Sequence, residues 1–219
     1  IEKPGSAAIP LQPLSEITAE LPDDTRITID VNENNNVKII TEIGSYDLMG
    51  KPADEFPATP ELNQRLDAGI DANILNEMIS TVSFAVSKDD LKPSLTGVYF
   101  KFEKERLTAV ATDGHRLAKY VRSDFRAGEF QGEVIVPRKF LNTITSYISN
   151  DEPIQLLLGD SVFTATIGTD TIYTRIIDER FPDYQSVIPT DNEKEISASC
   201  ADLLSAVKRV SIFSNKTTH

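Results

Sequence analysis

A long internal repeat constrains this chain more than any other feature. Ile9-Pro10, a helical stretch through Leu14, Ile17 and Leu21, strand-like alternation and Glu55-Phe56-Pro57 return later in the same order. The second copy runs from Val136-Pro137 through Phe140, Leu141, Ile144 and Ile148, then strand patterns, to Arg180-Phe181-Pro182. The offset is 127 residues at the start (Ile9 to Val136) and 125 at the end (Phe56 to Phe181). Residues 70–86, with Ile74, Leu75, Met78, Ile79 and Val82, read as an amphipathic helix, and so do residues 200–213, with Leu203, Leu204, Val207 and Val210. Leu75 to Leu203 is 128 residues. Any two amphipathic helices look alike, so this offset alone would carry little; three concordant offsets carry the argument. Solenoid and propeller repeats have periods of roughly 20–50 residues, so these copies are whole domains in tandem.

Within each copy the local chemistry agrees. Pro10 and Pro137 suit the first turn of a helix, where a missing N–H is tolerated. Leu21-Pro22-Asp23-Asp24 and Ser149-Asn150-Asp151-Glu152-Pro153 should end that helix and turn the chain. Arg26 to Val31, Val37 to Glu42 and Ser45 to Met49 alternate as strands, and so do Ile154 to Leu158, Ser161 to Ile167 and Thr171 to Ile177. Between the two helices of the middle copy, Leu95 to Glu103, Arg106 to Thr112 and Leu117 to Arg122 also read as strands, with Glu103-Lys104-Glu105-Arg106 as a hairpin turn and a further strand near Glu133 to Val136. Boundaries fall in polar stretches near 62–68 and 188–194. The expected organisation is the C-terminal half of one domain (1–65), one complete domain (66–188), and the opening segment and first helix of a third (189–219). The fold class is α+β, with two helices on antiparallel sheet in each domain.

Composition narrows the function classes. No run approaches the roughly 18 apolar residues of a membrane span, and Ile1-Glu2-Lys3-Pro4-Gly5 has no signal-peptide pattern, so a soluble protein is expected. The one cysteine, Cys200, allows no internal disulfide; this fits a reducing cytosol, and Cys200 reads as inert. The two histidines, His115 and His219, form no HExxH pair, and with no CxxC pair no structural metal is expected. A formal charge of −12 argues against gripping nucleic acid by bulk electrostatics. The charge is uneven: residues 12–67 carry twelve acids against four Lys or Arg, and residues 98–140 carry nine Lys or Arg against six acids. An ordinary solvated face explains either segment taken alone.

Four motifs in series then carry a resemblance: Leu95-Thr96-Gly97-Val98-Tyr99-Phe100, Ala111-Thr112-Asp113-Gly114-His115-Arg116-Leu117-Ala118, Val134-Ile135-Val136-Pro137-Arg138-Lys139 and Arg180-Phe181-Pro182-Asp183-Tyr184. In order and spacing the chain resembles the bacterial DNA sliding clamp, the DNA polymerase III beta subunit, over essentially all its length. The resemblance implies tandem DNA-clamp (processivity-fold) domains and a ring of two chains with three domains each, helices lining the hole and sheets forming the wall. It implies a non-catalytic subunit without cofactors, cytoplasmic and nucleoid-associated, that encircles duplex DNA independently of sequence. Its partners would be the replicative polymerase catalytic subunit, the clamp loader, translesion polymerases, mismatch-repair proteins and ligase, all through short linear motifs, with no membrane partner. Both ring-closing ends of such a protein lie outside this segment, so on its own it is not expected to form the ring.

Carried over position by position, the implied peptide groove comprises Leu95, Thr112, Gly114, His115, Arg116, Leu117, Pro182 and Val187. Leu95, Leu117, Pro182 and Val187 would form an apolar floor, Gly114 would let backbone come close, and His115 and Arg116 would supply donors at the rim. Thr112-Asp113-Gly114-His115 also reads as a plain hairpin turn, and both readings can hold. Lys92, Arg138, Lys139, Lys208 and Arg209 are the expected DNA contacts, loose ones, since tight phosphate contacts would stop sliding. Lys92 lies in the loop before the Leu95 strand, and the other four read equally as solvated helix ends, with Lys208 and Arg209 complementing the helix dipole. The helices at 11–21 and 71–86 carry Glu16, Glu20, Asp71 and Glu77 and no base, so the basic lining is thin. Two other classes remain: a hydrolase using Asp113 and His115, which lacks a nucleophile elbow, Gly-rich phosphate loop or paired acid motif, and a non-replicative β-rich scaffold, adhesive or of the envelope, which lacks an export signal.

Overall fold

The period is carried by the elements themselves. The computed structural model describes residues 4–58, 66–126, 130–148 and 153–214; the turn expected at 149–152, the boundary region at 62–65, Ile1 to Lys3 and His219 lie outside them. The chain divides into two compact units, residues 1–61 and 62–219. The first contains β1 (Ala7–Ala8), α1 (Leu11–Ala19), β2 (Thr28–Val31), β3 (Asn36–Thr41), β4 (Gly44–Met49) and β5 (Lys51–Pro52). Strands β2, β3 and β4 form an antiparallel sheet, and β1 pairs with β5. In β3 the side chains alternate, Val37 and Ile39 buried between exposed neighbours, as expected of a strand with one covered face. Pro10 stands immediately before α1.

The second unit contains β6 (Leu66–Ile70), α2 (Ala72–Val82), β7 (Gly97–Glu103), β8 (Arg106–Thr112), β9 (Leu117–Arg122), β10 (Gly132–Pro137), α3 (Arg138–Tyr147), β11 (Ile154–Leu158), β12 (Val162–Ile167), β13 (Asp170–Arg175) and α4 (Cys200–Ser211). The sequence spacing recurs strand by strand: Thr28 to Ile154, Asn36 to Val162 and Gly44 to Asp170 are each 126 residues. Capping repeats too. Prolines precede α1 and α3, whereas α2 and α4 have side-chain caps 128 residues apart, Asp71 and Ser199. The Asp71 carboxylate accepts from the Asn73 and Ile74 N–H groups at 2.9 and 3.2 Å, which stabilises the helix start by about 1 kcal/mol.

Two four-stranded antiparallel sheets result, ordered β10-β7-β8-β9 and β13-β12-β11-β6. Each βαβββ half lends its first strand to the other half's sheet: β10 pairs with β7, and β6 with β11. One core takes Leu75, Met78 and Ile79 from α2, Phe140, Leu141 and Ile144 from α3, Phe100, Phe102 and Leu107 from one sheet and Leu66, Leu156 and Phe163 from the other. Each such side chain removed from water contributes roughly 1.5–3 kcal/mol. This core fixes the inner face of the β10-β7-β8-β9 sheet and leaves its outer face for a second layer.

The structure corrects several boundaries, among them the strand expected over Thr171 to Ile177, which ends at Arg175. Strand β6 precedes α2 where the sequence reading placed only helix from residue 70. Leu95 lies not in a strand but in a single 3-10 turn, Pro93–Leu95, and β7 starts at Gly97. Prolines 10 and 137 occupy the cap position rather than the first helical turn.

Candidate functional site

Alternation along β7, β8 and β10 sends Tyr99, Val110 and Ile135 to the outer face of the sheet, while Phe100, Ala109 and Val134 point into the main core. Val110 and Ile135 are the register partners of Tyr99 on either side, so the three make one row. After β13 the chain returns across this row as a strap, residues 176–188. Its start is pinned by hydrogen bonds from the Ile176 N–H to the Ser161 carbonyl (3.0 Å) and from the Ile177 N–H to the Ile135 carbonyl (2.9 Å). Phe181 then stacks on Tyr99 with ring centroids 4.8 Å apart, and Tyr184 tilts against both rings at 6.0 and 6.3 Å. Lys119 lies over the Tyr184 ring at 5.8 Å. Tyr99 closes the arrangement by donating its phenol O–H to Glu133 Oε2 at 2.5 Å.

Leu95 and Leu117 join this second cluster, Leu95 buried and Leu117 half-buried. Pro182 and Val187 sit on the strap beside Phe181 and Ile188, which face inward, and are themselves exposed. Of the four expected floor residues, Leu95 and Leu117 thus belong to the outer-face cluster, and Pro182 and Val187 are exposed on the strap that crosses it.

The loop Asp113–Arg116 joins β8 to β9 beside them. Gly114 has φ +89°, a conformation that disfavours any side chain. The Thr112 hydroxyl accepts from the Gly114 N–H (3.1 Å) and donates to the Arg116 carbonyl (2.7 Å). One Asp113 oxygen accepts from the His115 and Arg116 N–H groups at 3.0 and 3.1 Å, and the other takes Arg116 Nε at 3.0 Å. These bonds hold the Asp113 carboxyl below its ordinary value of 3.8: first the His115 backbone donor, then, after a smaller opposing desolvation, the Arg116 backbone and side chain. Both carboxylate oxygens are occupied as a staple of the loop, and the partner in His115 is its backbone, not its ring, so the geometry gives no support to an Asp113/His115 acid–base pair. A carboxyl whose folded value is depressed supports the fold above 3.8, and that support is lost as pH falls through the folded value. We therefore expect a carbon-detected NMR titration to place the Asp113 midpoint below 3.8. A midpoint at or above 3.8 would mean that the staple is absent in solution.

Among the five basic candidates, Lys92 is exposed at the foot of the 3-10 turn, and its carbonyl accepts from the Leu95 N–H at 2.9 Å. Arg138 and Lys139 open α3, where with Asn142, Thr143 and Ser146 they line a shallow hollow; Arg138 Nε is buried there with no partner among the described residues. Lys208 and Arg209 are exposed in the last turn of α4, and Arg209 Nη1 donates to Ser205 Oγ at 2.7 Å. No hydrogen bond, ion pair or ring contact joins the α3 pair to the α4 pair among the described residues.

Sequence reasoning quoted Tyr99, Phe181 and Tyr184 within motifs without giving them a role, and it passed over Phe84, which the structure sets against Arg116. The available signal for the trio was three aromatics in two motifs that share one face.

No helix among the described residues is long and apolar enough to cross a membrane. Comparison with known proteins is consistent across the chain. Residues 69–183 match the family described as DNA polymerase III beta subunit, central domain. The beta sliding clamp of Pseudomonas putida is 31% identical over 217 residues, 98% of this chain and 58% of that protein. The one from Bacillus subtilis is 29% identical over 219 residues, 99% of this chain and 57% of that protein. The crystal structure of DNA polymerase III subunit beta from Pseudomonas aeruginosa superposes with a TM-score of 0.88 at 30% identity, covering 98% of this chain and 59% of that one. That of the Bacillus subtilis sliding clamp gives 0.87 at 29% identity, covering 99% and 57%. The chain thus spans a little under three-fifths of the relatives it matches. With its paired βαβββ halves, its outer-face cluster and a match over more than half its length, this chain belongs to the DNA polymerase III beta subunit family, the bacterial sliding clamps.

Proposed function

We propose that this chain is part of a DNA sliding clamp that tethers a replicative polymerase to its template, and that the outer-face cluster is a docking groove for short peptides. In this reading residues 1–65 end a first clamp domain, 66–188 form the central one and 189–219 open a third. The intact protein is a ring dimer around duplex DNA, a non-catalytic subunit of the polymerase holoenzyme, acting in the cytoplasm at the nucleoid. Polymerase, clamp loader and repair proteins, including translesion polymerases, mismatch-repair proteins and ligase, compete for the groove. The observation that carries the groove is the outer-face cluster holding Leu95 and Leu117, crossed by the strap that exposes Pro182 and Val187, beside a loop whose Arg116 is fixed by Thr112 and Asp113. A floor without directional bonds tolerates several apolar sequences, and a fixed rim sets their orientation. A chain of net charge −12 with few bases at helix ends suits a tether that must slide. Lys92, Arg138, Lys139, Lys208 and Arg209 remain the proposed loose phosphate contacts.

The test is fluorescence-polarisation binding of a labelled peptide of the Gln-Leu-x-Leu-Phe type to the intact gene product and to an Arg116→Ala, Leu117→Ala double variant. Saturable binding, weakened roughly thirtyfold or more in the variant, is expected if these residues anchor the peptide. No binding by the folded intact protein would remove the groove from this surface.

A further inference from the structure

Among the described residues, Phe84 is the one large aromatic side chain next to Arg116 that the fold leaves outward. It sits in the 3-10 turn Ser83–Ala85 at the end of α2, between Val82 and the Ala85-Val86 pair, all three buried in the main core. Those neighbours fix the backbone, and the Phe84 ring is left 57% exposed. Just beyond this turn the chain is tied to the groove floor, since the Ser87 N–H donates to the Leu95 carbonyl at 2.9 Å. The Arg116 guanidinium lies over the Phe84 ring, 5.6 Å from its centroid.

Arg116 is thus held from two directions. Asp113 engages its Nε edge at 3.0 Å, and Phe84 supports its plane. Nη1 and Nη2 have no partner among the described residues, although the side chain is 59% exposed. An exposed arginine ordinarily samples many rotamers, and an incoming ligand must then meet the entropy of ordering it. A guanidinium already fixed along one edge and one face presents its two remaining nitrogens in a set direction, a fork suited to paired acceptor oxygens.

Resting on the groove reading above, we infer that Phe84 is a positioning residue for peptide recognition: with Asp113 it seats Arg116 so that Nη1 and Nη2 meet acceptor oxygens of the bound peptide. Phe84 itself is not required to touch the peptide. Its contribution passes through Arg116, which separates this inference from general support of the groove.

A double-mutant cycle in the intact gene product tests this, with the same labelled peptide and with thermal melting as a check on folding. Phe84→Leu keeps apolar bulk and removes the aromatic face; it is expected to weaken binding about threefold when Arg116 is present. In an Arg116→Ala background the same change is expected to have no effect, and Phe84→Tyr, which keeps the ring, should bind like the parent. Equal losses from Phe84→Leu with and without Arg116 would overturn the inference, as would no loss in either. If the unaltered protein binds no peptide, the groove reading itself fails; if it binds and the cycle is additive, only the role of Phe84 fails.

Discussion

Tyr99→Ala is expected to lower the unfolding free energy of the second unit by about 3–5 kcal/mol, the range for deleting a buried aromatic side chain, and to weaken peptide binding in the same variant. Tyr99 is 7% exposed and, among the described residues, is the only ring in contact with both aromatics of the strap. Without it Phe181 and Tyr184 lose the surface they close on, and the segment carrying Pro182 and Val187 is no longer held to the sheet. Tyr99→Phe separates the two contributions. It keeps the stack and loses only the bond to Glu133, so about 1 kcal/mol is expected, with peptide binding nearly retained. Burial first, and then the Glu133 bond, push the phenol well above its ordinary value of 10. A folded value raised in this way gives stability that is complete below pH 10 and is lost as pH rises toward the folded value, so the alkaline limb of stability should begin above pH 10 and flatten in Tyr99→Phe. Chemical denaturation followed by circular dichroism suits a chain without tryptophan. A loss under about 1 kcal/mol for Tyr99→Ala would show that the strap is held by something else.

The elements that could be read from sequence are those whose patterns are local. Strands β8, β9 and β11 lie where alternation placed them, because each is a run of β-branched and apolar residues bounded by turn residues. Strand β6 was missed for a physical reason. Leu66-Asp67-Ala68-Gly69-Ile70 does alternate, with residues 66, 68 and 70 buried, but Ala68 and Gly69 have weak strand propensity. What makes it a strand is pairing with β11, including a bond from Gln155 Nε2 to Asp67 Oδ1 across 88 residues of sequence. The site divides along the same line. The turn chemistry of Thr112 to Arg116 is local and legible: an Asp-Gly corner with short side chains that bond their own backbone. That Phe181 and Tyr184 would return over Tyr99, or that Phe84 would lie beneath Arg116, depends on topology that no window of sequence contains. The floor residues were reached through the family resemblance rather than through pattern, and the structure brings Leu95 and Leu117 into one cluster.

Gly97→Val is expected to destabilise the second unit by about 3 kcal/mol or more, through overpacking at a point where three segments meet. Gly97 opens β7 opposite Pro137 of β10. A Cβ there would stand 2.6 Å from the Val136 carbonyl oxygen, 2.8 Å from Ile135 Cγ2 and 2.9 Å from Ile177 Cδ1. The oxygen cannot retreat without breaking the β10-β7 ladder, and a shift of β10 there would disturb Ile135, whose carbonyl holds the Ile177 N–H that starts the strap. Strain at Gly97 should therefore reach the groove, with peptide affinity falling even in the fraction that remains folded. Gly69→Ala is the matched control. Gly69 also lies in a strand, yet the nearest atom to an added Cβ is Gln155 Oε1 at an ordinary 3.7 Å. There a methyl group only restricts the unfolded chain, which adds roughly 0.4–1 kcal/mol of stability. Thermal melting of the two variants beside the parent decides the matter: opposite signs are expected, and a mild, equal effect in both would mean that β7, β10 and the strap are not packed as tightly as the distances at Gly97 require.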